Sequence, residues 1–575
     1  MSPKKSIDFK KKLGEILPVI IWLPKYDRKK WLRPDLIAGI SLAAFSVPEL
    51  MAYAELAGLP PEYGLYAGIV AAITYFFFGT IKQFVIGPSS SQAIMVASVI
   101  GIIAVSPEHY LDLAMATAIL VGIIFLAARV FRLGFIVNLI PVSVLKGFLA
   151  GVGLVIIGGQ LYKLFGLESG GGNFFEDIGY VLQNLGETNL PTLAVGLGFM
   201  AILLGIELKY PKLPASLIVV AASIILMSIT NLEDHGVHII GEIPSGLPTP
   251  RVPELQQGDL QALLPLAAAL FLLSYVESMS IGRTYGKKNG YKIDENQELV
   301  AIGTTNITTG LFQGFPVSGS FSRTAINDSA GGITPVSTFS SGIIIAIVAL
   351  FLTGLFYNMP EVIIAVLVIV AVYKMVDIKE LKRVRGHSKV EFFIAMISMA
   401  LVLILGVLEG VIFGVILSFI YMLYRIAAPR VRELGRVPGT HIYRDIERHP
   451  ENKTIPGIKI LRVDAPLLFA NAVNAEDKIL ARVEADPETK QVILDLESSP
   501  IIDLSATDML TELYDKLDEK GVKLFVANPT SEVRDAMRLE GLDKKIPLLE
   551  RIDGDTVSFE TTDGQVVIIP DEDTW

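Results

Sequence analysis

Gln313-Gly-Phe-Pro-Val-Ser-Gly-Ser-Phe-Ser-Arg-Thr-Ala-Ile-Asn327 stands among long apolar runs, yet it carries Arg323 and a cluster of small hydroxyl residues. Gly314, Pro316 and Gly319 interrupt any helix here, so backbone amides are left without intrahelical partners. In hydrocarbon such a break is tolerated only where the segment is buried in protein or lines a cavity. A short helix beginning near Ser320 turns its free N–H groups and positive dipole end toward that cavity, with Arg323 in its first turn. A helix start of this kind favours an anion. The stretch implies a membrane protein with a small-anion site.

Composition agrees. Of 575 residues, 51% are hydrophobic and 19% charged, and the mean hydropathy is +0.53. A soluble chain of this length carries more charge, so a polytopic α-helical membrane protein is expected. The net charge of −10 argues against nucleic acid as a partner. The absence of cysteine excludes disulfides, thiol catalysis and cysteine metal sites. Six histidines, none in a paired ligand spacing, make a metal enzyme an unattractive reading, and no cofactor is expected. The basic, polar N-terminus shows no cleavable signal peptide.

Working outward, apolar runs follow one another from Leu36–Ala57 through Phe135–Gln160, Leu260–Gly282 and Leu299–Phe312 to Gly410–Ala427, about fourteen segments in all. Lys and Arg fall in every second loop. The intervening loops are acidic, with Lys163 and Arg251 as exceptions. The positive-inside rule then puts both termini in the cytoplasm and the chain in the plasma or inner membrane as a multi-pass protein. A second broken segment, Ile86-Gly-Pro-Ser-Ser-Ser-Gln92, opens the third run as the Arg323 stretch opens the tenth. The first run of each half carries an embedded carboxylate, Glu49 and Glu277. Breaks at corresponding places in two halves point to a midplane site in a seven-plus-seven inverted repeat.

Beyond Ala427 the character changes. Short β-rich runs alternate with amphipathic helices: Ile458–Val463, Gln491–Leu496, Asp508–Leu517 and Val522–Ala527. That is the pattern of a soluble α/β domain. The divisions read from sequence are a cytoplasmic segment 1–34, a transmembrane domain 35–428, a linker 429–454, the α/β domain 455–551 and an acidic tail 552–575.

Asp35-Leu-Ile-Ala-Gly39, Pro48-Glu-Leu-Met-Ala-Tyr-Ala54, Gly58-Leu-Pro-Pro-Glu-Tyr-Gly-Leu-Tyr66, Gly290-Tyr-Lys-Ile-Asp-Glu-Asn-Gln-Glu-Leu299 and Gly319-Ser-Phe-Ser-Arg-Thr-Ala325 resemble the sulfate permease (SulP) family. Leu434-Gly-Arg-Val-Pro-Gly-Thr440 and Phe469-Ala-Asn-Ala472 resemble its cytoplasmic STAS domain. The resemblance implies the uracil-permease-like inverted-repeat fold, in which a core (segments one to four and eight to eleven) moves against a gate. It also implies a homodimer. By the same resemblance the anion site comprises Ser89, Ser90, Phe321, Ser322 and Arg323, lined by Glu49 and Tyr53, with Glu277 as the coupling carboxylate. Two departures stand out: Glu49 replaces a common glutamine, and Ala506 in Asp503-Leu-Ser-Ala-Thr-Asp508 occupies a position that is phosphorylatable in some relatives.

Each residue also has a plainer role. Arg323 can close a structural ion pair, Glu277 can be a buried hydrogen-bonding group, and Ser89 and Ser90 can cap a helix. Tyr53 and Phe321 fit a wall better than a specific contact. Glu277 is expected to be the counterion of Arg323 in the empty site, so that protonating it frees the arginine for a dianion. The expectation is therefore proton-coupled sulfate uptake by an elevator-like, alternating-access movement, not catalysis. Alternatives are sodium- or exchange-coupled bicarbonate transport, C4-dicarboxylate transport, or an anion-regulated scaffold or sensor acting through a partner of the STAS domain. Sodium-dependent relatives want a hydroxyl where this chain has Ile281.

Overall fold

The computed structural model describes residues 14, 16–131, 142–168, 174–210, 213–373, 376–440, 442–549, 557–560 and 566–569. The basic run Lys10–Lys12, the expected segment start at Phe135 and most of the acidic tail lie outside these residues.

In hydrocarbon a backbone must satisfy its own polar groups, so the apolar runs fold as helices. The first set is α1 (Arg28–Leu56), α2 (Pro61–Phe78), α3 (Ser90–Ile103), α4 (Pro107–Val130), α5 (Val142–Phe165), α6 (Leu190–Lys209) and α7 (Ala215–Ile229). The second is α8 (Asp259–Lys288), α9 (Glu295–Leu311), α10 (Phe321–Ser329), α11 (Val336–Phe351), α12 (Glu361–Val372), α13 (Lys389–Leu405) and α14 (Val407–Ala427). Several helices outrun their apolar stretches: α1 starts before Leu36 and α8 continues past Gly282. Helical bonding and side-chain caps, such as Asp27 under α1, do not stop at the hydrocarbon edge. Two further helices, Phe174–Gln183 and Ile378–His387, occupy stretches read from sequence as connections.

The two halves repeat with inversion, and polar clamps make this visible. Asp35 on α1 accepts from the backbone of Ile333 (2.7 Å) and Thr334 (3.1 Å), just before α11. In the other half Asp259, first residue of α8, holds His109 in the first turn of α4 at 2.9 Å. Thus the acid at the head of segment one secures segment eleven, and the acid at the head of segment eight secures segment four. Helices α1–α4 and α8–α11 form one packed group, with α4 on α8 and α9, and α11 on α1 and α2. In the other group α5 packs on α12 and α13, and α6 on α7 and α12.

The breaks at residues 86–89 and 313–320 lie inside the first group. There Ile86–Gly87 (β1) pairs antiparallel with Ser318–Gly319 (β2), in the register Ile86↔Gly319 and Gly87↔Ser318. Side chains complete the bonding. Asn306 of α9 accepts from Val317 N (2.9 Å) and donates to Val317 O (3.0 Å), acting as a strand would. Thr324 accepts from Val85 N, Ser278 from Gly319 N, and Asn327 donates to Gln83 O. The polar groups in and beside the two strands are thereby matched, while the first N–H groups of α3 and α10 have no backbone acceptor within their own helices.

Phe419–Trp575 forms a second compact unit. Its sheet runs β4 (Tyr443–Asp445), β3 (Val431–Arg436), β5 (Ile458–Val463), β6 (Gln491–Asp495), β7 (Lys523–Ala527), β8 (Leu548–Leu549), in that spatial order. β5 to β8 are parallel, while β3 pairs antiparallel with β4 and β5. Helices α15 (Ala472–Glu484), α16 (Leu504–Glu519) and α17 (Ser531–Leu539) complete it. Two readings need correction. The stretch 429–454, read as a linker, contributes two strands of this sheet. The tail read as merely acidic contains β9 (Val557–Glu560) paired antiparallel with β10 (Val566–Ile569). In both places apolar residues too few for a clear alternation become strands because a partner is at hand. Ala506 is fully buried in the first turn of α16, where its N–H donates to Asp503 Oδ1 at 3.0 Å.

Candidate functional site

The β1–β2 pair sets the starts of two short helices side by side, because α3 begins three residues after Gly87 and α10 two after Gly319. At nine residues α10 is roughly 14 Å long, well short of a bilayer's hydrocarbon core. Both positive ends therefore lie inside the protein, aimed into one region. Ser320 caps α10 through Arg323 N (3.3 Å), whereas Ser89 occupies the cap position of α3 without a side-chain bond to the helix. Ser89 Oγ instead accepts from Ser318 Oγ at 3.2 Å and lies 3.3 Å from Ser91 Oγ.

Arg323 is 1% exposed. Its Nη2 donates to the carbonyl of Pro88, in the opposite broken segment. Its Nε approaches Glu49 Oε2 to 3.9 Å, an ion pair too long for a hydrogen bond. The guanidinium lies over Gly87, where a Cβ would meet Nη1 at 2.7 Å, so any larger residue there would push the arginine aside. Gly319 is similarly placed: a Cβ would strike the Phe84 ring at 2.4 Å.

Glu49 and Tyr53 are one turn apart on α1 and both buried. Glu277 on α8 is partly accessible. It accepts from Ser91 Oγ at 3.1 Å and Ser318 Oγ at 3.2 Å, one hydroxyl from each broken segment. No bond joins Glu277 to Arg323 among the described residues, so the expected counterion is corrected: Glu49 holds that place. The reason is positional, since α1 presents its carboxylate to the guanidinium while α8 presents its own to the hydroxyls.

The other expected residues fall around the same point. Ser90 opens α3 and is partly exposed. Ser322 is exposed and its Oγ lies 3.1 Å from Ser320 Oγ, and Phe321 is 49% exposed beside it. Reasoning from sequence passed over Ser91 and Ser318, although both stood in the quoted stretches, and over Asn306. A lone Asn in an apolar run was the available signal for the last. Ile281 is wholly buried, 3.0 Å from where a Cβ on Gly319 would lie, so it serves as packing beneath β2.

Comparison with known proteins follows the same lines. The sulfate permease family profile matches residues 32–398, and the STAS domain profile matches 449–554. A probable sulfate transporter of Mycobacterium tuberculosis is 36% identical over 531 residues, covering 92% of this chain and 95% of the relative. A high affinity sulfate transporter of Stylosanthes hamata is 32% identical over 560 residues, covering 93% and 84%. The murine solute carrier 26 family member A9 anion transporter superposes with a TM-score of 0.84 at 27% identity, covering 93% of this chain and 92% of that one. With its membrane helices and its C-terminal sheet domain both matched, the chain belongs to the sulfate permease family.

Proposed function

We propose that this protein is a secondary active transporter that imports a small oxyanion, foremost sulfate, together with a proton. The observation that carries the reading is the convergence of two helix N-termini on a buried arginine paired with Glu49, with a second carboxylate, Glu277, held by a hydroxyl from each broken segment. The anion would be held by Arg323, the starts of α3 and α10, and the hydroxyls of Ser89, Ser90 and Ser322, with Tyr53 and Phe321 as walls. Glu49 neutralises Arg323 while the site is empty. Glu277, held by Ser91 and Ser318 next to Ser89, adds a second negative charge, and a dianion entering against both would be repelled. A proton on Glu277 removes that charge and turns its carboxyl into a donor, so proton and anion enter together. Ser318 and Ser91, which bond to Glu277, also bond to Ser89 of the anion site, which gives the coupling a physical route.

Movement follows from the packing. The helices carrying these residues all belong to the α1–α4, α8–α11 group, so the site would travel as a unit against α5–α7 and α12–α14, as an elevator does. The working form would be a homodimer in the plasma or inner membrane with both termini cytoplasmic, and no catalytic step is involved. One observation favours a second substrate class, C4-dicarboxylates: a carboxylate, Glu49, already occupies the neighbourhood of Arg323. The test is labelled-sulfate uptake into proteoliposomes with and without an inward proton gradient, with succinate as competitor. Gradient-driven accumulation, lost in Arg323→Ala and only partly restored by Lys, is expected, since Lys lacks the planar fork that matches an oxyanion. Accumulation unchanged in Arg323→Ala would refute the site, and full competition by succinate would favour the dicarboxylate.

A further inference from the structure

The C-terminal unit holds a cleft of about 620 Å³ between β3, β4 and α15, apart from the anion site. Five of its lining residues are basic, Arg430, Arg432, Arg448, Lys478 and Arg482, against two acids, Asp445 and Glu447. Three of the bases are committed to structure. Arg432 pairs with Asp445 at 2.7 Å and with Asp464, Arg482 pairs with Glu447 at 2.7 Å, and Lys478 Nζ donates to the carbonyl of Pro429 at 2.8 Å. Arg430 and Arg448 are different. Both are exposed, and among the described residues their side chains make no hydrogen bond or close ion pair, although Arg448 lies near enough to Asp445 to help hold its carboxyl ionised.

The cleft sits where the last membrane helix ends. Arg430 follows Ala427, the end of α14, by three residues. The junction is tied down, since Asn471 Nδ2 donates to Ile426 O at 3.1 Å and Lys478 to Pro429 O. Just before it, the final turns of α14 expose Ile420 (56%), Leu423 (56%) and Tyr424 (68%), with Arg425 in the last turn. An apolar helix face leading directly into a basic cleft has the polarity of a phospholipid: acyl chains against the one, phosphate in the other. Basic clusters directly following a membrane helix attract anionic headgroups by about 1 kcal/mol per Lys or Arg.

We infer that this cleft binds the phosphate headgroup of an anionic phospholipid, with Arg430 and Arg448 as its two uncommitted ligands. Guanidinium groups suit a phosphodiester, which offers them two non-bridging oxygens. A lipid held there would anchor the C-terminal domain at the membrane surface where α14 enters it. The inference rests on membrane embedding and is independent of which anion is carried.

The test uses the full-length protein, delipidated in detergent and titrated with phosphatidylglycerol, phosphatidylcholine or inorganic phosphate, with bound species counted by native mass spectrometry. Phosphatidylglycerol should be retained in preference to phosphatidylcholine. Arg430→Ala/Arg448→Ala should weaken that retention roughly 25-fold, at about fivefold per arginine, and Arg→Lys at both positions should restore most of it. An unchanged melting curve in the double variant separates loss of binding from loss of fold. Equal retention by wild type and the Ala variant would overturn the proposal. So would inorganic phosphate binding at the two arginines while phosphatidylglycerol does not, because the ligand would then be a soluble phosphate.

Discussion

Glu49 and Glu277 stand on the first helix of each half, but their surroundings divide the work between them. Glu49 faces Arg323 at 3.9 Å, and Glu277 lies between Ser91 and Ser318. Gln is nearly isosteric with a protonated acid, so Glu277→Gln should mimic the proton-loaded state permanently. Sulfate binding should survive with a flattened pH dependence, because the group whose titration is linked to it is gone. Exchange of internal for external sulfate should persist, while accumulation driven by a proton gradient should fail. Glu49→Gln removes the carboxylate that competes for Arg323, so it should tighten anion binding and leave coupling intact. Uptake and counterflow of labelled sulfate in the same vesicles distinguish the two. If Glu277→Gln still concentrates sulfate against a gradient, the coupling proton resides elsewhere and Glu49 becomes the first candidate.

The broken segments are elements that could not exist alone. A two-residue strand pair has little stability of its own, and its flanking backbone groups would cost about 1–3 kcal/mol each if left buried and unpaired. Asn306 covers two of them, the N–H and C=O of Val317. Asn306→Ala should therefore destabilise the protein by about 2–6 kcal/mol, with a loss of sulfate affinity that follows the misplacement of β2. Asn306→Asp keeps the acceptor for Val317 N but sets a fully buried carboxylate against Val317 O, so it should destabilise at least as much. Thermal unfolding in detergent, with calorimetric sulfate titration on the surviving folded fraction, reads both effects. A melting curve for Asn306→Ala that matches wild type would show that solvent, not Asn306, satisfies Val317.

At the scale of the molecule, all residues of the candidate site belong to the compact unit Met1–Ser418, and the sheet domain belongs to the other. Truncation after Ala428 removes β3 together with the rest of its sheet, whereas a cut after Arg436 would leave β3 as an unpaired strand prone to aggregation. The truncated protein should bind sulfate with near-normal affinity, as measured by calorimetry, and show lower expression or transport rate. A well-folded truncation with weakened binding would mean that the C-terminal domain shapes the site.

The membrane class, the number of segments, the two breaks at matching positions and the helix start carrying Arg323 were all legible along the chain. Each is a local matter: apolar run length, the incompatibility of Gly and Pro with a continuous helix, and a serine placed to cap. Three of the four parallel strands of the C-terminal domain, β5 to β7, were legible for the same reason, since Ile458–Val463 is β-rich within its own six residues, whereas the two-residue β8 was not. What lay beyond a local reading concerns partners far apart in sequence. Which carboxylate meets Arg323 depends on how α1 and α8 are rotated against α3 and α10, and nothing within either helix records that rotation. Asn306 and Val317 are joined by a turn whose path is set by packing. The strands at Val431–Arg436 and Val557–Glu560 exist because another strand supplies their hydrogen bonds. Periodicity and backbone chemistry act within a few residues of chain, while the pairing of charges and strands is decided by which surfaces the folded protein presses together.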